Sequence, residues 1–219
     1  MQTLIIENAP DRAAAILEIV DVLRTGCEVI RPYLGEKHSI DLDMFDRMII
    51  SGGPGNARDL ISQDYYQPTL RLIEAFMGIG KPILGICLGH QTLTLLLDGE
   101  VETTTQRSGW INIDLTDTGV DNPLFEGCRR VFPVFHYNHD EVTKLAHGAE
   151  LIATSKQCQV EAFAIPGNKI WGFQSHPEIS PKWGAQILVK RIPHLHLERE
   201  MPRVHDPSCL RIFENFYKV

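Results

Sequence analysis

The chain has 219 residues, 43% of them hydrophobic, and carries a formal net charge of −7. That is enough apolar material for one α/β domain with decorations; no basic stripe of the kind that binds nucleic acid stands out, and no stretch of about 20 apolar residues is present to span a membrane. The five cysteines are widely spaced and form no CxxC pair, and no HxxxH pair stands beside them, which argues against both a disulfide framework and a zinc site.

The first residues lack the basic start and long apolar run of a signal peptide, so a cytoplasmic protein is expected. Thr3–Glu7 is a short apolar run that ends in the turn signal Asn8-Ala9-Pro10 and reads as a buried strand. Asp11 is placed to cap a helix with Ala14, Ile16, Leu17, Val20 and Leu23 on its apolar side, and Gly26 to stop it. Glu28–Pro32 and Met48–Ile50 read as the next strands, the second running directly into Ser51-Gly52-Gly53-Pro54-Gly55. Leu70–Met77 has helical spacing and ends at Gly78 and Gly80. Pro82–Ile86 is a fourth strand, and His90–Leu97 opens another helix. Strands alternating with helices across short turns predict an open, mostly parallel sheet with helices on both faces.

Beyond Gly99 the pattern changes. Residues 101–115 and 150–173 hold β-rich runs broken by Gly, Asn and Asp, expected to be antiparallel additions to the parallel core. Pro181–Ile192 reads as a closing helix. One domain over residues 1–192 follows, and 193–219 form a C-terminal extension of unknown role. That extension has three prolines, mixed charge and a short helix expected near Leu210–Tyr217. Residues 179–219 hold seven Lys/Arg against four Asp/Glu, a modest excess that fits a solvated surface.

The segment Lys81–Gln91 reads KPILGICLGHQ. An apolar strand delivers Cys87, a helix pattern begins at once, and Gly85 and Gly89 flank it two residues to either side. This is the spacing of a nucleophile elbow, the thiol form of G-x-S-x-G. The helix start directs free N–H groups at the thiol and favours thiolate, and the Leu88 N–H is placed to donate to an oxyanion. A Cys nucleophile needs a base and an orienting group. In the segment Trp171–Glu178, WGFQSHPE, His176 can be the base and Glu178 its orienter, with Pro177 stiffening the turn. The glycine-rich loop Ser51–Gly55 can expose N–H groups to an anion, and it is not a P-loop because no Gly-Lys-Ser/Thr follows.

In this order the three segments Ser51–Pro54, Gly85–Gln91 and His176–Glu178 resemble the class I glutamine amidotransferase family over about residues 1–190. The resemblance leans toward free-standing domains similar to the amidotransferase part of GMP synthase, through Val160-Glu-Ala-Phe163 and Trp171-Gly-Phe-Gln174. It implies a flavodoxin-like α/β fold, with Cys87 as nucleophile, His176 as base and acid, and Glu178 as orienter. It also implies oxyanion N–H groups from Gly53 and Leu88, and substrate contacts from Gly52, Gln91, Asn138 and His139. The last two lie in Phe135–Asp140, where the family has a loop that grips the substrate's α-amino and carboxyl end. Two departures stand out: Ser175 where the family often has an aromatic residue, and Arg107-Ser108-Gly109-Trp110 where it often has an acidic residue before the Gly-aromatic pair. Neither touches the three catalytic positions.

The expected reaction is hydrolysis of the γ-amide of glutamine through a Cys87 thioester, without metal or organic cofactor. Ammonia would pass to a separate synthetase subunit, because no nucleotide-binding synthetase domain is recognisable. Two alternatives remain: a stand-alone γ-glutamyl peptidase or hydrolase, and a non-catalytic regulatory or binding domain on the same fold.

Overall fold

A computed structural model describes residues 1–35, 40–191 and 206–219. Five strands pair in parallel: β1 (Gln2–Ile6), β2 (Gly26–Ile30), β3 (Arg47–Ile50), β4 (Ile83–Ile86) and β9 (Ile170–Phe173). Four more join antiparallel: β5 (Glu100–Leu115), β6 (Val131–Lys144), β7 (Glu150–Thr154) and β8 (Ala162–Ile165). The sheet order is β2-β1-β3-β4-β9-β8-β7-β5-β6. The parallel part has the flavodoxin-like order, in which ligands bind beyond the carboxyl ends of the strands.

Side chains alternate across a strand, and the parallel strands use that alternation to fill two cores. Ile5, Ile49, Leu84 and Ile86 face one; Leu4, Ile6, Met48, Ile50 and Ile83 face the other. Helices α1 (Ala14–Val22) and α7 (Ser208–Phe216) close the first, α3 (Gln67–Gly78) and α4 (Leu88–Leu96) the second. The short helices α2 (Ala57–Ile61) and α5 (Asp117–Val120) and the helix α6 (Pro181–Arg191) complete the set described. The helix expected over Pro181–Ile192 is α6; Ile192 and residues 193–205 lie outside the described residues.

The structure corrects four local expectations. Residues 170–173, expected among the antiparallel additions, form β9, which pairs in parallel with β4 and antiparallel only with β8. Asp11 does not cap α1: its φ is +63°, and the helix begins at Ala14. The Ala13 N–H donates instead to Glu7 Oε1 at 3.0 Å, so the end of β1 supplies the cap. Gly26 does not stop α1; the chain turns at Arg24, with φ +53°, and Gly26 is the first residue of β2. Phe135–Asp140 is not a loop but the middle of β6, paired with β5.

The helix near Leu210–Tyr217 is α7, and it is part of the core. Ile212, Phe213 and Phe216 are fully buried in the cluster that holds Trp171 and Phe173, a burial worth roughly 1.5–3 kcal/mol per side chain. Beyond it, Tyr217 shares a 2.8 Å hydrogen bond between its hydroxyl and Thr3 Oγ1. The Arg47 guanidinium donates to the Phe216 carbonyl and lies 4.7 Å over the Tyr217 ring. Residues 206–219 thereby tie onto the first strand.

Candidate active site

Cys87 joins β4 to α4 with φ +50° and ψ −101°, a conformation that side-chain-bearing residues avoid and that costs roughly 1–3 kcal/mol. Two hydrogen bonds hold it: its N–H donates to the Phe173 carbonyl at 2.7 Å, and its carbonyl accepts from the Gln91 N–H at 3.0 Å. The flanking glycines are there for space. A Cβ on Gly85 would stand 2.7 Å from the Gly89 carbonyl, and one on Gly89 would run into the Ile50 backbone. The start of α4 therefore packs against β3 and β4 with no room for a side chain, and the thiol is thrust toward the ends of the parallel strands.

β9 brings the other two groups. After Phe173 the chain leaves the sheet, and the His176 N–H donates to the Phe135 carbonyl at 2.8 Å. His176 Nδ1 then lies 2.7 Å from Glu178 Oε1, with the carboxylate almost fully buried. Burial works against a charged ring, but the charges of Glu178 and Cys87 outweigh it and push His176 up to about 10. The thiol, imidazole and carboxylate expected from the sequence are thus brought together.

Gly52 forms the wall between them. A Cβ there would meet His176 Cε1 at 2.8 Å and Cys87 Cβ at 3.5 Å. The loop is pinned by its neighbour: Asn8 donates its backbone N–H to Ser51 Oγ at 3.0 Å and its side-chain N–H to the Ser51 carbonyl at 2.7 Å. Among the described residues, neither the Gly53 nor the Leu88 N–H donates a hydrogen bond. A thiol, an imidazole paired to a carboxylate and backbone N–H groups left free beside the thiol form the set that nucleophilic acyl transfer requires.

A cavity of about 610 Å³ opens over Cys87, lined on its inner side by Gly52, Gly53, Gln91, Asn138 and His176. Asn138 is buried and donates Nδ2 to the Asp140 carbonyl at 3.0 Å, while its Oδ1 has no partner among the described residues. His139 lines the same wall but is exposed. Gln91 spends its side-chain N–H groups on the Asp140 carbonyl at 2.9 Å and Gln174 Oε1 at 3.1 Å, so only its own oxygen is left to face a ligand. Arg12, Trp183 and Lys190 stand at the outer end.

Two residues of the segments read from the sequence lie away from the cavity. His136 does not line the cavity; it is buried, with its Nε2 2.9 Å from Glu161 Oε2, and Glu161 comes from the Val160–Phe163 segment. Arg107 is a structural cation, paired with Glu141 and donating to the Gln157 carbonyl. Two residues escaped the sequence reading. Asp140 is buried at the cavity wall and accepts from Asn56 Nδ2 at 3.0 Å. Gln174 is fully buried with its amide 3.9 Å from Cys87 Sγ. Its one sequence signal was a polar residue directly after an apolar strand and two before the candidate base. Among the described residues, no group of His, Cys, Asp and Glu could hold a metal, and no helix is long and apolar enough to cross a membrane.

The family described as glutamine amidotransferase class-I matches residues 5–192, and the chain belongs to that family. Within it, the chain is similar to one subunit of the glutamine-hydrolyzing GMP synthase of Methanocaldococcus jannaschii, with 36% identity over 64% of this chain and 69% of that one. It is also 34% identical to the glutamine-hydrolyzing GMP synthase of Clostridium novyi over 70% of its length, a match that spans only 28% of the longer protein. Among solved structures, a glutamine amidotransferase from Thermotoga maritima shares the fold with a TM-score of 0.83 at 21% identity, over 100% of this chain and 96% of that one.

Proposed function

We propose that the chain hydrolyses the γ-amide of glutamine and delivers the ammonia to a separate synthetase subunit. The observation that carries this is the convergence of Cys87, His176 and Glu178 at one cavity, with His176 Nδ1 2.7 Å from Glu178 Oε1. Cys87 passes its proton to His176, and its sulfur attacks the γ-carbonyl. The N–H groups of Gly53 and Leu88 hold the resulting oxyanion. His176 returns the proton to the leaving nitrogen, which departs as ammonia and leaves a γ-glutamyl thioester. Water, deprotonated by His176, then attacks the thioester, and glutamate leaves with the thiol restored. Gln91 and Asn138 offer acceptor oxygens to the substrate's α-ammonium group. Support for a partner comes from the Methanocaldococcus relative, which is one subunit of a synthase rather than the whole and which this chain matches over 69% of its length.

A second reading rests on the cavity itself. At about 610 Å³, with Arg12 and Lys190 at its outer end, it has the size of a site for a drug-sized ligand, larger than one amino acid needs. A γ-glutamyl peptide fits that size, and Arg12 and Lys190, beside Asp11, offer cations to its additional carboxylate. One assay separates the readings: ammonia and amine release from glutamine and from a panel of γ-glutamyl peptides, with Cys87→Ala as control. Slow Cys87-dependent glutamine hydrolysis, accelerated by a synthetase partner, supports the first. Fast peptide hydrolysis by the chain alone replaces it with the second. Hydrolysis by Cys87→Ala at the unaltered rate sinks both.

A further inference from the structure

Gln174 does not line the cavity, yet its side chain reaches the nucleophile. It stands directly after β9, is fully buried, and donates Nε2 toward Cys87 Sγ at 3.9 Å. Its orientation is set by a neighbour. Gln91 Nε2 donates both to the Asp140 carbonyl at 2.9 Å and to Gln174 Oε1 at 3.1 Å. The carbonyl of Asp140 accepts only, so Gln91 must present nitrogen there, Gln174 must present oxygen to Gln91, and the Gln174 N–H is left for sulfur. Asn138 Nδ2 donates to the same Asp140 carbonyl at 3.0 Å and fixes the far end. A chain of amides thus runs from the cavity wall to the thiol.

We infer that Gln174 is a positioning residue for Cys87: its amide holds the sulfur in line with His176 and supports the negative charge the sulfur carries on attack, and Gln91 locks it in that orientation. A hydrogen bond to a charged acceptor is stronger than one between neutral groups, and the buried Gln174 amide is aligned before substrate arrives. The inference rests on the reading of Cys87 as nucleophile.

Gln174→Met removes the donor at nearly constant volume. We expect kcat for glutamine to fall about tenfold with KM within about twofold, the signature of an interaction made in the transition state. Alkylation of Cys87 by iodoacetamide should slow several-fold in the same variant, and this readout needs no turnover. Gln174→Asn, which keeps an amide but draws it back from the sulfur, should show the same split and serves if Gln174→Met does not fold. In the unaltered chain the Gln174 side-chain amide protons should exchange slowly with solvent, and Cys87→Ala should speed that exchange about tenfold. A lowered Tm with unchanged kcat and unchanged alkylation would make the role merely structural and overturn the inference, as would equal amide exchange with and without the sulfur. Slowed alkylation in a chain that hydrolyses nothing would sink the proposed reaction and leave the positioning role standing.

Discussion

Two buried histidines flank the Cys87 elbow and are driven in opposite directions. His90 lies on the packing side, in the first turn of α4, with its ring 5.1 Å from Phe163 and no hydrogen-bond partner for either nitrogen among the described residues. Burial pushes it down to about 3. His176 lies on the cavity side, and burial opposes its charge too, but Glu178 and Cys87 push it up to about 10. Burial depth alone therefore does not mark a functional histidine. What separates the two is a carboxylate at 2.7 Å, which turns the same desolvated site from one that excludes a proton into one that holds it.

The contrast can be broken from either side. Replacing the base, His176→Asn, should lower kcat for glutamine about 10³-fold, measured as ammonia release, with the fold intact by circular dichroism. Removing the carboxylate, Glu178→Gln, should cost about 10²-fold, less than loss of the base itself. Glu178→Gln should also change the alkaline limb of stability. His176 is raised in the fold, so its contribution is fully present below about pH 6.5 and is lost as pH rises through about 10; urea unfolding across that window should be flatter in the variant. Gly52→Ala, whose added carbon would stand 2.8 Å from His176 Cε1, should displace the ring and lower kcat about tenfold with little change in Tm.

The other side of the contrast, His90, shows in stability rather than rate. Its folded form resists protonation, so its stability contribution is lost as pH falls from about 6.5 toward 3. Denaturation at pH 7 and pH 5 should show the unaltered chain losing about 2 kcal/mol more than His90→Leu over that interval. Equal losses in the two chains would remove His90 from the comparison.

Strands β1 to β4 were legible because each is a short apolar run ending in a turn signal, and because Gly85 and Gly89 stand at fixed offsets from Cys87. β9 was not, because it lies within the run 150–173 that reads as antiparallel and joins the parallel core only through its long-range pairing with β4. Nor was β6. Its inward positions run Phe132, Val134, His136, Asn138, Asp140 and Val142, all buried. The alternation is regular, but half of its inward set is polar: His136 is held by Glu161 and Asp140 by Asn56 from other elements, while Asn138 donates to the Asp140 carbonyl within the strand. The cap of α1 was hidden for a similar reason: Glu7 reaches forward from a strand end, while Asp11, in the position a local rule would choose, bends the chain the other way. Gln174 could be named from its position but not assigned, since its partner stands 87 residues away.

That separation has a consequence for how the molecule is made. β9 enters the middle of the sheet, between β4 and β8. Until it does, β4 is an open edge, with the Cys87 N–H waiting for the Phe173 carbonyl and Ile83, Leu84 and Ile86 on a strand with one side unpaired. Long-range parallel pairing is slow because the intervening chain must be closed before any contact rewards it, and an apolar edge left open in that interval recruits other chains. The strand that delivers the base is thus also the one that seals the sheet, so any refolding route on which β9 docks late acquires its activity and its resistance to aggregation in a single step.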